Sequence, residues 1–297
     1  MPTLENDLLS VAIQSKGAEL TRIYHRPQGR EYLWSGDPAV WGRHAPILFP
    51  IVGALRDNTY RFQGQGYTLR RHGFARNLPF ELISQDEKQV VFELESTADT
   101  RAHYPFAFRL QVGYTLDGAR LRVTWLVTNA DDEAAMWFSI GAHPAFALKP
   151  DDRVSDYLLW FDHPERADRH LLGEGGLFDG RTELAVEGES LPLDARTFDR
   201  DALVFTDLRS ERLTLRNRLG DHRVELRFPG FPYFGVWAPA GTDAFVCLEP
   251  WHGLADAHDA PGDLTEKRGI RSLAAGETFR AYYDILVGPE GEGFGMG

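Results

Sequence analysis

Asp117-Gly118-Ala119-Arg120-Leu121-Arg122-Val123-Thr124-Trp125-Leu126-Val127-Thr128 is the stretch whose reading decides the fold class. Leu121, Val123, Trp125 and Val127 fall on one face, and Arg122, Thr124 and Thr128 on the other. A period of two residues describes a β-strand with one buried and one wetter face, because successive side chains point to opposite sides of a sheet. The Asp-Gly step just before it is the strongest short hairpin signal in the chain. The same alternation recurs at Val90, Phe92 and Leu94, at Val224, Leu226 and Phe228, and from Phe279 through Ala281, Tyr283 and Ile285 to Val287. Gly220-Asp221 joins 213–218 to 223–228 as a second hairpin, and Gly64 and Gly66 sit in a third over 60–69. Many strands at this spacing with weak helical signals predict an all-β protein, a large antiparallel β-sandwich. One short turn of helix is expected at 195–201. The polar, Gly-rich stretch 163–200 reads as long loops, and the Gly- and Glu-rich tail 288–297 is expected to fray.

No composition shift marks a boundary, so residues 1–297 read as a single domain, and the length suffices for one large core. Hydrophobic residues make up 43% and charged residues 26%, an ordinary globular composition. The net charge of −12, from 32 Lys+Arg against 44 Asp+Glu, argues against nucleic acid and anionic membranes as partners. It leaves room for a small anionic ligand held by a local arginine cluster. The one cysteine, Cys247, lies in an apolar run and reads as a buried small hydrophobe. Without a secretory pattern at the N-terminus or a long apolar span, a cytoplasmic protein is expected, monomer or homodimer.

Two segments share an unusual construction. Phe138-Ser-Ile-Gly-Ala-His143-Pro-Ala-Phe146 is an apolar run ending in a histidine before a proline, and Ala244-Phe-Val-Cys-Leu-Glu249-Pro250-Trp251 is one ending in a carboxylate before a proline. Proline pushes the preceding residue toward an extended conformation and donates no ladder hydrogen bond, which places a stiffly held polar group at the rim of a sheet. Gly141 and Ala142 let other groups approach the backbone closely. A lone histidine at a strand end is more often structural than functional; the paired construction is what singles these out. The run from Trp41 through Arg43 and Gly53 to Arg56 fits an irregular strand at a pocket edge and, equally, a charged edge strand. Arg70-Arg71-His72-Gly73-Phe74-Ala75-Arg76 makes a cationic patch suited to hydroxyl-rich or anionic ligands, although surface loops of this composition are common. Phe231-Pro-Tyr-Phe-Gly-Val-Trp237 supplies aromatic faces of the kind that bind the C–H faces of sugars. Phosphate-loop, nucleophile-elbow and zinc-ligand spacings are not found, so no metal and no cofactor is expected.

Taken in order, His72-Gly-Phe-Ala-Arg76, Gly141-Ala-His143-Pro-Ala-Phe146, Pro232-Tyr-Phe-Gly-Val-Trp237 and Glu249-Pro-Trp251 resemble the aldose 1-epimerase (mutarotase) family, in particular its LacX-like and hexose-6-phosphate mutarotase-like branch. The resemblance implies a galactose mutarotase-like supersandwich binding a sugar or sugar phosphate. Carried over by motif, Glu249 is the general base, His143 the general acid, and His72 a hydrogen-bonding group near the ring oxygen or anomeric centre. Asp201 matches a hydroxyl-binding aspartate, and Arg76 and Arg56 pocket arginines. Arg43 and Arg71 join them if the arginines converge on a phosphate, and Trp237 offers an aromatic face. The sequence departs from the family pattern at Gly53-Ala54-Leu55-Arg56, where relatives in this branch often have Arg directly after the Gly. The implied activity is anomer interconversion of an aldose or aldose 6-phosphate by acid–base ring opening. The alternatives are a non-catalytic sugar-binding or sensor protein on the same scaffold and, more remotely, a glycoside hydrolase or lyase.

Overall fold

A computed structural model describes residues 1–289. Half of the chain is strand and 7% is helix, as the period-two pattern requires. The Phe108–Asp117 and Arg120–Asn129 strands pair antiparallel over ten consecutive positions, from Phe108↔Asn129 to Asp117↔Arg120, around the Asp-Gly turn. Leu121, Val123, Trp125 and Val127 are fully buried, whereas Arg122, Thr124, Leu126 and Thr128 are half-exposed. Trp125 is the largest fully buried side chain, and Phe231 and Tyr283 stand edge-on to its indole.

This hairpin sits within a 15-stranded sheet. From one edge the order runs Ile47–Leu48, Ile140–Ala142, Phe245–His252, Tyr233–Trp237, Leu203–Phe205, Tyr157–Leu172, Arg212–Asn217, Arg223–Arg227, Thr278–Val287, Arg120–Asn129, Phe108–Asp117, Gln89–Glu95 and Glu81–Gln85. Ala145–Ala147 also pairs with Phe245–His252, and Phe178–Pro192 with Tyr157–Leu172. A four-stranded N-terminal sheet from Thr3–Glu5 to Arg30–Glu31 closes on the far half, sharing one apolar core with it. The Tyr114 hydroxyl crosses that layer to donate to Ala18 O at 2.6 Å.

Both further hairpins form, at Arg212–Asn217/Arg223–Arg227 and Thr59–Phe62/Gln65–Thr68. Cys247 is fully buried. Two expectations are overturned. Most of 163–200 is not loop: Tyr157–Leu172 and Phe178–Pro192 form the longest hairpin of the molecule, with three register shifts along it. Its outer strand is exposed or half-exposed at most positions, so solvent covers both faces and no apolar alternation marks it. Residues 195–201 form turns, not helix; the α-helix among the described residues is Ala98–His103, whose Thr97 cap accepts from the Thr100 backbone N–H. The fraying expected of the tail falls, from residue 290 on, outside the described residues. Among the described residues no helix is long and apolar enough to cross a membrane.

Candidate active site

The register of the sheet brings His143 and Glu249 together. Gly141 pairs with Trp251, and Ala145 with Cys247. His143 therefore stands opposite Glu249, although 106 positions separate them in sequence (249 − 143). Directly opposed residues in an antiparallel pair hold their Cβ atoms about 4.5–5.5 Å apart, so the two side chains are neighbours by construction. On its other side Glu249 pairs with Gly235, and Gly235 with Val204. One row across four adjoining segments thus carries imidazole, carboxylate, a bare backbone and a valine.

That bare backbone is needed. The Trp251 indole lies flat along the sheet, and a Cβ on Gly235 would come within 2.5 Å of its ring, as would one on Gly141. The indole N–H donates to Ala142 O at 3.2 Å. Two glycines on either flank of the glutamate strand let one aromatic plate seat against both neighbours.

His143 and Glu249 lie at the base of a cleft of about 480 Å³, within the range of small-molecule sites. His143 Nε2 and Glu249 Oε2 are 3.3 Å apart, yet they are not aligned as a hydrogen bond. Oε2 and His143 Nδ1 are buried without a hydrogen-bonding partner. Trp41 stacks on the imidazole at 5.0 Å, Trp237 meets it edge-on at 5.6 Å, and His72 at 5.7 Å. Burial dominates the electrostatics. It pushes the Glu249 carboxyl well above its usual value, opposed by Arg71 and helped by Asp201. It pulls His143 down to about 3, with the Arg76 charge acting in the same direction. Both shifts favour the uncharged forms, which places a single mobile proton on the pair.

His72 is held at φ 68, an unusual conformation for a residue with a side chain. Its Nδ1 accepts the Gly53 backbone N–H at 3.1 Å. Burial, followed by the charge of His143, keeps the ring neutral. With Nδ1 an acceptor, the proton of the neutral ring sits on Nε2, leaving that nitrogen as its donor. Asp201, also at positive φ, lines the cleft, with Oδ2 at 3.8 Å from Arg71 Nη2.

Of the nine residues singled out in the sequence, Glu249, His143, His72, Arg76, Asp201, Arg71 and Trp237 line this cleft; Arg43 and Arg56 do not. Arg43 stands behind Arg76, bonding Asn77 Oδ1 at 2.8 Å and Arg76 O at 3.5 Å. Arg56 donates to His258 O at 3.4 Å in an adjoining groove, whose wall Arg71 shares. Ala54, at the departure from the family pattern, is buried, and Arg71 and Arg76 supply the cleft's guanidinium groups from the neighbouring loop. Burial, then Arg43 and Arg71, bring Arg76 down to about 10. Sequence reasoning missed Leu172, Gly176 and Phe178, which form one wall. They belong to the unrecognised hairpin, whose tip is tied across the cleft by Phe178 N–H to Asp256 O at 2.9 Å.

The family model for aldose 1-epimerase matches residues 2–271. The chain belongs to the aldose 1-epimerase family. It is 35% identical over 294 residues to the chromosomal protein LacX of Lactococcus lactis subsp. lactis, an alignment covering 96% of this chain and 98% of LacX. A galactose mutarotase related enzyme from Lactobacillus acidophilus superposes with a TM-score of 0.91 at 34% identity, covering 96% of each chain. A galactose mutarotase-like protein from Lactobacillus casei ATCC 334 superposes with a TM-score of 0.90 at 33% identity, covering 97% of this chain and 99% of that one. The sheet of this epimerase-family chain is therefore that of the galactose mutarotase-like fold.

Proposed function

We propose that the cleft interconverts the α and β anomers of an aldose, free or 6-phosphorylated, with Glu249 as general base and His143 as general acid. The observation that carries this reading is the pairing of the two groups across adjacent strands, 3.3 Å apart at the base of the cleft. Ring opening removes the proton of the C1 hydroxyl and delivers one to the ring oxygen. Both oxygens are bonded to C1, so a base and an acid that stand side by side can serve them together. With the pair's proton moved from the carboxyl to the imidazole, Glu249 takes the hydroxyl proton while imidazolium His143 gives its own to the ring oxygen. The product state holds a neutral acid and a neutral imidazole, the forms that burial favours. Rotation about C1–C2 and reversal of both transfers yield the other anomer. No oxidation state changes, and no group leaves the sugar. His72 Nε2–H is placed to hydrogen-bond the oxygen on which charge develops, Asp201 and Arg71 to hold hydroxyls, and Trp41 and Trp237 to face ring C–H bonds.

Polarimetry of fresh α-glucose, α-galactose and their 6-phosphates tests the proposal. At least one should equilibrate faster with enzyme than in matched buffer. Saturable sugar binding without any acceleration would instead favour a binding or sensor protein.

A further inference from the structure

Cys247 and Glu249 are two positions apart on one strand, so their side chains share a face. His143 stands opposite Glu249, and Ala145 opposite Cys247. A ring nitrogen of His143, Cys247 Sγ and a Glu249 carboxylate oxygen all lie within 4.8 Å of one another, and all three residues are buried. Proton transfer in the proposed reaction uses the carboxylate and the imidazole and gives the thiol no part.

The spacing is that of a coordination sphere. Around a tetrahedral zinc ion with bonds of about 2.0–2.2 Å to nitrogen and oxygen, neighbouring ligand atoms stand about 3.4 Å apart. His143 Nε2 and Glu249 Oε2 are already 3.3 Å apart, without the alignment of a hydrogen bond, and Oε2 has no other partner. Sulfur, with its longer zinc bond of about 2.3 Å, has at most a little over about 1 Å to close. Imidazole, thiolate and carboxylate together suit zinc rather than calcium or magnesium, which take oxygen ligands.

We propose that His143, Cys247 and Glu249 form a three-ligand site for a thiophilic divalent cation such as zinc, with its fourth position facing the cleft. The thiol proton and the proton held between Glu249 and His143 both leave to solvent as the metal bonds form. Carboxylate and thiolate then cancel the two positive charges, so a neutral complex sits among buried side chains at the base of the cleft. The metal occupies the lone pairs of both proton-transfer groups, so it is an inhibitor competing with sugar rather than a cofactor. This last clause rests on the function proposed above; the site itself does not.

Cobalt(II) is the probe, because a cobalt–thiolate bond gives a near-ultraviolet charge-transfer band that oxygen and nitrogen ligands do not. Titrating the full-length wild-type protein should produce that band at one equivalent. Zinc should abolish it, and magnesium should leave it unchanged. Cys247→Ser, shown to be folded by its melting transition, should lose the band and bind zinc at least about tenfold more weakly; Cys247→Ala serves if serine unfolds the core. Absence of a thiolate band in the folded wild type overturns the proposal, as does a cysteine variant that holds zinc as tightly as the parent. Zinc should also suppress anomer exchange in the wild type and leave the rate of Cys247→Ser the same with and without metal; equal inhibition of both overturns the inhibitory role. A protein that shows the band but has no exchange to inhibit keeps the metal site and refutes the proposed reaction.

Discussion

The hairpin of Phe108–Asp117 with Arg120–Asn129 and the pair of Tyr233–Trp237 with Phe245–His252 belong to the same sheet, but only one is built for packing alone. In the hairpin, burial alternates strictly along both strands, and ten positions pair without a register shift. In the other pair, all eight residues of Phe245–His252 are buried, including Glu249 and a proline in mid-strand. The difference lies in what covers the second face. Solvent meets it in the hairpin. Over Phe245–His252, Gly53, the Arg71–His72 turn, Asp201 and the Gly176–Phe178 tip enclose it. A carboxylate under such a cover loses its water, and this protein leaves one of its oxygens without a partner. Polar groups buried in this way reduce stability, and the activity proposed here is what they provide in return.

The largest expected effect breaks the comparison at its centre. Glu249→Gln should lower the rate of anomer exchange by about a hundred- to ten-thousand-fold, the usual contribution of one positioned acid or base. Stability should move the other way. The folded carboxyl titrates above its unfolded value, so its contribution is complete below the unfolded pKa and is lost as pH rises through the folded one. Glutamine carries no such loss. The variant should therefore withstand more urea than wild type at pH 8, with the advantage shrinking toward pH 4. A variant that is both active and no more stable at pH 8 would put Glu249 outside the chemistry.

Next in size is the response to acid. His143 and His252 are drawn down to about 3 and His222 to about 4, and His72 well below its usual value, in each case chiefly by burial. Groups with lowered folded values contribute stability that is complete above the unfolded pKa, near 6.5, and drains away as pH falls toward the folded values. At pH 5 the unfolded chain should bind up to four more protons on these rings, offset by up to one that the folded state keeps on Glu249. A net uptake of roughly three protons is about 4 kcal/mol per pH unit. Urea midpoints measured between pH 4 and 7 give this slope directly. A flat profile across that range would mean the rings are hydrated.

Gly235→Ala sharpens the comparison without touching a reacting group. The added methyl meets the rigid Trp251 ring at 2.5 Å, so the indole or the strand must shift. Overpacking of this kind costs about 1–3 kcal/mol, and a displaced plate beside Glu249 should raise KM for the sugar more than it lowers stability at remote positions. The corresponding change in the hairpin, Gly113→Ala, meets nothing closer than 3.9 Å and should be nearly silent in both assays.

The same contrast explains what the sequence made legible. Trp125 and its neighbours announced the sheet because one wet face forces an alternating pattern. His143 and Glu249 were visible because each ends an apolar run before a proline. Their pairing was not, because a register is fixed by partners more than a hundred positions away. The stretch 163–200, most of which belongs to the hairpin of 157–192, reads as loop because a strand pair wetted on both faces carries no hydrophobic alternation, and Leu172, Gly176 and Phe178 go unseen with it. For arginines, type and neighbourhood were readable but direction was not. Arg71 and Arg76 turn into the cleft, whereas Arg43 and Arg56 bond to backbone and Asn77 beside it.

The smallest expected effect belongs to the wet face of the hairpin. Thr128 and Thr278 face each other across Arg120–Asn129 and Thr278–Val287, their hydroxyls 2.9 Å apart and open to solvent. Thr128→Val removes that hydrogen bond and keeps the branched shape that a pleated surface favours. Water replaces the lost partner, so stability should change by no more than about 0.5 kcal/mol and anomer exchange not at all. A larger loss, read as a shift in urea midpoint at unchanged slope, would show that this half of the sheet also depends on polar contacts. The division between a packing half and a site-bearing half would then fail at its quiet end, even with Glu249→Gln inactive.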